Sequence, residues 1–408
     1  MPSVPASLFW ILAVAVVAPF VAALVPRRLV PEVVLLLGLG MLIGPFGLEL
    51  AVEGAPIELL SELGLGMLFL LAGFEIDPAE LTGKAGRRAG GTWLLCLAFA
   101  FVLTFTLGSF DLVQDETAVA IALTSTALGT LLPILKDSGL IKGRVGAAVL
   151  RHGAYGELGP IIAIALLLGT RSPTTSVVIL GIFAAVAALL ALPSLRVRGT
   201  DSVLLVHLRH GAETTGQTPV RLTLLLLVTL SVVAHDLGLD IVLAAFAAGF
   251  ILRLALPDGD ERFEARIEGI AFGMLIPIFF VTSGMAIDPA AIGDHPLTFL
   301  AVIGLILLAR GLPVFVSGRW GGPPEERFGP REGTAAALFA ATGLPIIVAV
   351  TTVAVRNEHM STDSASVLVG AGAATVLLLP MLATLLLGHQ APASPDPGEP
   401  LPRPHPAP

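Results

Sequence analysis

Long apolar runs separated by short polar breaks occupy most of the chain. A hydrocarbon core of roughly 30 Å is crossed by about 20 helical residues. Thirteen apolar runs approach or exceed this length, near residues 7–25, 29–48, 57–76, 91–110, 116–135, 145–169, 175–194, 220–235, 240–256, 267–287, 296–317, 333–355 and 364–388. The pair at 220–256 is the weakest, because both members are short. The pattern predicts an all-α membrane protein with thirteen transmembrane helices.

Composition agrees with a membrane location. Of the 408 residues, 55% are hydrophobic and only 13% are charged, too few for the surface of a soluble domain. The net charge of -8 excludes the basic footprint of a nucleic-acid binder. The one cysteine, Cys96, excludes a disulfide framework and a cysteine metal site. The first apolar run is predicted to be a span and not a signal peptide, because Arg27 and Arg28 follow it.

The basic residues test the number of spans. If the N-terminus lies outside the cell, the loops after odd-numbered spans face the cytoplasm. Those loops, with the adjoining helix ends and the C-terminal tail, hold 19 of the 23 Lys and Arg residues, whereas the opposite loops hold two. This sorting obeys the positive-inside rule. It predicts a multi-pass protein of the cell membrane with a cytoplasmic C-terminus.

Two short segments resemble each other and close the third and tenth spans. They read LFLLAGFEIDPAEL at 68–81 and FFVTSGMAIDPAAI at 279–292. Because an offset of seven spans is odd, related units must cross the bilayer in opposite directions. We therefore predict an inverted repeat of spans 1–6 and 8–13, with span seven as the link.

The same offset pairs span five with span twelve, and both contain helix-breaking residues at mid-span. Span five has Thr124, Ser125 and Thr126 at its centre, followed by Pro133. Span twelve has a central group made up of Thr342, Gly343 and Pro345. Proline removes a backbone donor, and in lipid a break survives only where protein or water satisfies the released groups. The pair predicts two crossed, interrupted helices around an ion site.

Glu157 lies twelve residues from either end of span six, roughly 18 Å from each boundary. Its helical neighbours offer no cation to pair with it. An acid at this depth is by default a functional site, although a neutral acid used only for packing is the alternative. One carboxylate can hold a proton or a transported Na+ or K+, but not both at once. This competition would couple the two ions.

Three other polar residues are candidates for roles near the site. Arg310, in span eleven, is interpreted as a buried charge that balances a carboxylate or the released carbonyls of span twelve; snorkelling toward water is the alternative. Arg151 and His152 lie before Glu157 on the cytoplasmic side. They would line an inner vestibule, or serve as interfacial anchors.

Several of these segments resemble one known family. ALTSTALGTLLPILKDSGLI and GRVGAAVLRHGAYGELGPIIAIALL are similar to the fifth and sixth spans of the monovalent cation:proton antiporter-2 family of bacterial sodium/proton and potassium/proton exchangers. LFLLAGFEID resembles an early span, and ATGLPIIVAVTTVAV resembles the second interrupted helix. The resemblance extends over all thirteen spans.

The resemblance implies a sodium/proton-antiporter-like fold, an elevator-type core around spans 4–6 and 11–13, and a homodimer formed by the remaining spans. By position, Glu157 takes the place of the family's acid, Thr124, Ser125 and Thr126 the first crossing, Thr342 the second, and Arg310 the basic residue. One departure is Gly156, which stands where electrogenic members carry a first aspartate. This leaves Arg310 without its family partner.

We therefore expect a secondary antiporter that exchanges Na+ or K+ for protons and contributes to pH homeostasis. It would not be an enzyme, and would need no cofactor, nucleic acid or nucleotide-binding regulatory domain. One core carboxylate predicts electroneutral, one-for-one exchange. A proton- or sodium-coupled symporter of a small organic solute on the same fold is the alternative. The antiporter domain would be 1–388, followed by a disordered, proline-rich cytoplasmic tail at 389–408.

Overall fold

The computed structural model describes residues 2–24, 30–110, 113, 115–168, 173–196, 217–256 and 261–387, and these are helical except for short connections. The predicted tail at 389–408 lies outside the described residues. The helices are α1 Val4–Leu24, α2 Glu32–Ile43, α3 Ala55–Glu75, α4 Pro78–Leu81, α5 Gly83–Gly108, α6 Glu116–Leu123, α7 Leu128–Asp137, α8 Arg144–Leu167, α9 Pro173–Arg196, α10 Thr218–Asp236, α11 Ile241–Ala255, α12 Glu261–Ile270, α13 Ile276–Met285, α14 Pro289–Asp294, α15 Pro296–Ile306, α16 Leu312–Trp320, α17 Pro330–Ala340, α18 Leu344–Arg356 and α19 Thr362–Leu387.

Helix occupies each of the thirteen predicted span positions. Within the described ranges, nine helices are long and apolar enough to cross a membrane, and three shorter apolar helices accompany them. The 24-residue α8 carries Glu157 and is long enough to cross as well. The all-helical membrane fold is therefore confirmed, whereas thirteen crossings stays a prediction.

The two similar segments adopt the same local structure. After α3, Asp77 accepts a hydrogen bond from the Ala79 N–H at 2.8 Å and caps the short helix α4. After α13, Asp288 accepts one from the Ala290 N–H at 2.8 Å and caps α14. An aspartate followed by proline is a favoured helix start. The shared IDPA sequence thus encodes the same helix–turn–helix junction twice.

The closest helix packing also follows the repeat. Helix α3 lies against α11, where a side chain at Gly73 would overlap the backbone of Phe246 and one at Gly249 would overlap that of Leu70. Helix α13 lies against α2 in the same way, through Gly40, Gly44 and Gly284. Counted by span, α3 with α11 is span 3 with span 9, and α13 with α2 is span 10 with span 2. The offset of seven relates span 3 to span 10 and span 2 to span 9, so the repeat converts one pair into the other. Small residues commonly allow membrane helices to pack with their backbones in contact.

Two predicted spans are broken in the middle. Span five divides into α6 and α7, separated by residues 124–127, and span twelve divides into α17 and α18, separated by residues 341–343. Helix α8 passes beside both breaks, since it packs against α6, α7, α17 and α18. This arrangement brings Glu157 next to the two interruptions.

The glycine-mediated contact between α3 and α11 yields a stability prediction. In Gly249→Ala the new methyl group meets the Leu70 carbonyl, so the helices must separate, at a cost of about 1–3 kcal/mol for an overpacked core. Gly304→Ala is the matched control, because nothing lies within 4 Å of its added carbon. Thermal melting in detergent should show a lower Tm for Gly249→Ala than for Gly304→Ala. Equal melting temperatures would contradict the packing argument.

Candidate functional site

The first interruption places three hydroxyl groups in the protein interior. Thr124, Ser125 and Thr126 are at most 2% exposed. The Thr124 hydroxyl donates to the Ile121 carbonyl at 2.8 Å, and that of Ser125 donates to the Ala122 carbonyl at 2.7 Å. These hydroxyls satisfy carbonyls that the end of α6 releases, as helix ends without water require. Their oxygens retain lone pairs that a cation can use.

The second interruption is held against the first by direct hydrogen bonds. The Ala127 N–H donates to the Thr342 carbonyl at 2.8 Å, and the Ser125 hydroxyl lies 3.3 Å from the Gly343 carbonyl oxygen. A side chain at 343 would overlap Ser125, so glycine is required for this close approach. The Thr342 hydroxyl donates to the Phe339 carbonyl at 2.7 Å and closes the end of α17. The predicted crossing is therefore present.

The two prolines lie at different places relative to the breaks. Pro345 is in the first turn of α18, directly after the second interruption, where proline needs no backbone donor. Pro133 lies inside α7, beyond the first interruption at 124–127. The prediction that Pro133 helps to form the first break is therefore wrong. The extended backbone at Ala127 and the hydroxyls that precede it end α6 instead.

Glu157 lies against the start of α7. It is 3% exposed, and its Oε1 accepts a hydrogen bond from the Leu128 N–H at 2.6 Å. Leu128 is the first residue of α7, so the positive end of that helix faces the carboxylate. The other oxygen, Oε2, is buried and has no hydrogen-bond partner. Half of the carboxylate is thus anchored, and the other half is free to bind a proton or a cation.

Arg310 is fully buried in a five-residue π-helical segment, Leu307–Gly311. Its guanidinium donates to the Thr126 hydroxyl at 3.0 Å and to the His152 carbonyl at 2.5 Å. Because the side chain is enclosed, the snorkelling alternative does not apply. The predicted partner is wrong too: Arg310 contacts the first interruption and α8. Its segment packs against α17 of span twelve, and Thr126, which accepts from Arg310, donates its own hydroxyl hydrogen to the Ala340 carbonyl there.

The position before Glu157 explains this arrangement. A side chain at Gly156 would collide with both the Arg310 guanidinium and Thr126. The Gly156 carbonyl accepts a hydrogen bond from the Thr126 N–H at 2.9 Å. Arg310 therefore fills the space that a first acid would occupy, and polar backbone and hydroxyl groups replace the carboxylate as its partners.

Glu75, which sequence reasoning missed, brings a second carboxylate to the site. It ends α3, and it lies beside α7, where a side chain on Gly129 would come within 3.4 Å of Glu75 Oε2. That oxygen is buried and has no hydrogen-bond partner, and the charges of Glu75 and Glu157 interact. The sequence repeat contained a signal for Glu75: the corresponding position in the second segment is the apolar Ala286, so the acid is specific to the first segment.

Two cavities open toward opposite ends of the helices. The acidic cavity, of about 460 Å³, lies at the start of α3, whereas the basic cavity, of about 430 Å³, lies at the start of α5 and α8. The charged residues of the acidic cavity are Glu53, Glu58, Glu62 and Arg356. Those of the basic cavity are Arg88, Lys142, Arg144, Arg151, Glu325 and Glu326, beside His152.

Arg151 and His152 both line the basic cavity, as the vestibule interpretation expects. The Arg151 side chain forms an ion pair with Glu80, with 3.2 Å between Nε and Oε2. His152 is 9% exposed, and its Nδ1 has no hydrogen-bond partner. Neither side chain is bonded to Glu157, but the His152 carbonyl holds Arg310.

Comparisons with known proteins agree with the geometry. The family model described as the transmembrane sodium/hydrogen exchanger matches residues 12–388. Bacillus subtilis YjbQ, inferred to be a Na+/H+ antiporter, is 26% identical over 364 residues, 83% of this chain and 56% of its own length. The glutathione-regulated potassium-efflux system protein KefC of Salmonella arizonae is 24% identical over 302 residues, 71% of this chain and 46% of its own length.

A solved structure shares the fold. The sodium proton antiporter MjNhaP1 from Methanocaldococcus jannaschii, determined at pH 8, superposes with a TM-score of 0.65 at 18% identity and covers 94% of this chain and 98% of its own. The chain spans about half the length of the curated relatives that it matches. These relatives are transporters, and the described residues form a multi-pass membrane protein. The chain belongs to the sodium/hydrogen exchanger family.

Proposed function

We propose that this chain exchanges a monovalent cation, Na+ or K+, for protons across the cell membrane, with Glu157 as the exchange site. The observation that carries the proposal is the carboxylate itself. Its Oε1 is fixed by the Leu128 N–H, and its Oε2 is buried without a partner between two interrupted helices. A buried, unsatisfied oxygen is costly, and a bound proton or cation removes that cost.

Competition for this oxygen couples the two ions. When Glu157 holds a proton it is neutral, and a metal ion has no charge to bind. When the proton leaves, the carboxylate attracts a cation, and the nearby Thr124 and Ser125 hydroxyls supply the neutral oxygens that Na+ and K+ use as ligands. Glu75 places a second carboxylate beside α7, near Gly129. The site therefore favours a cation over an anionic solute.

We propose one-for-one, electroneutral exchange in which only Glu157 changes its occupant, while Glu75 keeps one protonation state through the cycle. Moving one net charge against 100 mV costs about 2.3 kcal/mol, whereas each pH unit supplies about 1.4 kcal/mol. Electroneutral exchange depends only on the ion and proton gradients and not on the membrane potential.

Alternating access would move a core domain against a scaffold, with helices around spans 4–6 and 11–13 as the core. The glycine-mediated pairs of α3 with α11 and of α2 with α13 make a rigid scaffold, on which a homodimer would form. The Arg356–Glu62 ion pair, 2.8 Å long, joins the end of α18 to α3 at the acidic cavity. In an elevator motion such a contact breaks and re-forms. The positive-inside rule places the basic cavity on the cytoplasmic side.

Replacement of the central acid tests the site. In Glu157→Gln the amide oxygen still accepts the Leu128 N–H, so the fold should persist. The side chain no longer carries a charge to exchange, and cation-driven proton movement in everted vesicles should fall to background with Na+, K+ or Li+. The control is Glu58→Gln in the acidic cavity, which should retain exchange. Normal transport by folded Glu157→Gln would remove the site assignment.

The stoichiometry is tested with an imposed membrane potential. Purified protein in liposomes should exchange ions at a rate that does not change between 0 and about 100 mV, because no net charge crosses the membrane. If the rate follows voltage, one-for-one exchange is wrong. Glu75→Gln then identifies the source, since loss of the voltage dependence in that variant would assign the additional charge to Glu75.

A further inference from the structure

The basic cavity does not suit the cargo of the proposed exchange. Four basic side chains line it, those of Arg88, Lys142, Arg144 and Arg151, against the carboxylates of Glu325 and Glu326. With Glu80, which pairs with Arg151, three carboxylates face four basic groups, and an excess of positive charge remains. The acidic cavity has the opposite balance, with three glutamates and one arginine. A local field attracts ions of opposite sign, so the acidic cavity attracts a cation and the basic cavity repels one.

Two helix starts add to the positive field. Helix α5 begins at Gly83 and supplies Ala85 and Arg88 to the cavity wall, and α8 begins at Arg144 and supplies Ala147 and Arg151. Both are long helices, of 26 and 24 residues. The first turn of a helix carries free N–H groups and the positive end of the helix dipole, a combination that binds anions.

A residue of the cavity wall, His152, has an unpartnered ring nitrogen. His152 is 9% exposed and lines the cavity, and its Nδ1 is buried without a hydrogen-bond partner. The His152 carbonyl is already bonded to Arg310, so the backbone here is fixed. A buried polar atom left without a partner costs about 1–3 kcal/mol. Because Nδ1 is shielded from solvent, the His152 ring must turn before an oxygen of a bound anion can accept a hydrogen bond from it.

One carboxylate already occupies part of the cavity. Arg88 donates to the Glu326 carboxylate and also to the Gly321 carbonyl at 3.2 Å. Glu326 ends the short 3₁₀ turn Pro324–Glu326, and its side chain is 56% exposed. The hydrogen bond from Arg88 lowers the pKa of Glu326, and the charges of Arg151 and Arg144 act in the same direction. Glu326 is therefore an exposed carboxylate that pairs with Arg88 and that an anion from solution can replace.

We propose that the basic cavity is a binding site for a phosphate group, lined by Arg88, Lys142, Arg144, Arg151 and His152, in which Glu326 competes with the ligand. Guanidinium groups match phosphate geometry with paired donors. The volume of about 430 Å³ admits the phosphate and part of the molecule that carries it. The positive-inside rule explains basic residues on this side, but it does not explain why four of them converge on one concavity.

Because Glu326 competes with the ligand, its removal should increase the affinity for phosphate. Misfolding of a variant would decrease the affinity instead. Binding of inorganic phosphate to the purified full-length chain is measured by titration calorimetry in a neutral detergent. Glu326→Gln should bind phosphate more tightly, by up to about fivefold, the effect of releasing one exposed ion pair. Arg144→Ala and Lys142→Ala should bind it more weakly. Glu58→Gln, which removes a carboxylate from the acidic cavity, should leave the affinity unchanged.

The source of the phosphate is tested with the same chain in nanodiscs. If a phospholipid headgroup is the natural occupant, discs with phosphatidylglycerol should weaken phosphate binding compared with discs of phosphatidylcholine alone. Equal affinities in the two discs would assign the cavity to a soluble phosphate compound. The site is refuted if phosphate does not bind, or if Glu326→Gln and Arg144→Ala leave its affinity unchanged. Because no transport is measured, this result is independent of the exchange mechanism.

Discussion

The arrangement of the site depends on one constraint: backbone groups released by two broken helices must find partners in an apolar interior. Lipid supplies none, so each interruption satisfies the other. The Ala127 N–H bonds to the Thr342 carbonyl, and the Thr126 N–H bonds to the Gly156 carbonyl. Threonine and serine hydroxyls close the helix ends, and Glu157 accepts the first N–H of α7. The proposed exchange site is thus also a structural partner of the break, which keeps one carboxylate oxygen at a fixed place and leaves the other without a partner.

Charge balance at the crossing follows from the same constraint. A buried guanidinium is expensive unless its donors are satisfied. Arg310 meets that requirement with the Thr126 hydroxyl and the His152 carbonyl, so it ties the first interruption to α8. Gly156 is small enough to leave it room. Arg310 therefore stabilises the crossing as a positive charge without pairing with Glu157, whose second oxygen remains unpartnered.

Small residues and charged residues are concentrated in different parts of the molecule. Glycines bring backbones together in the pairs of α3 with α11 and α2 with α13, and tight packing of this kind resists deformation. The two cavities carry opposite charge balances at opposite ends of the helices. This charge distribution is the basis for the proposals that a cation enters at one end of the molecule and an anion binds at the other. Helix α3 connects the acidic cavity to the crossing, because it carries Glu62 near its start and Glu75, which lies beside α7, at its end.

Periodicity and composition alone determined the helical membrane fold, the positions of the helices, the repeat and the two broken spans, because lipid imposes length and apolarity on every crossing segment. They also identified Glu157, since an acid at mid-span stands out. Only the tertiary structure decided which groups meet. Glu75 belongs to the site only because α7 packs beside it, and Pro133 has no part in the break because the break falls at residues 124–127. The partners of Arg310, Thr126 and His152, lie 184 and 158 residues away in the chain. Contacts at such separations depend on how helices pack, and local sequence patterns carry no record of that.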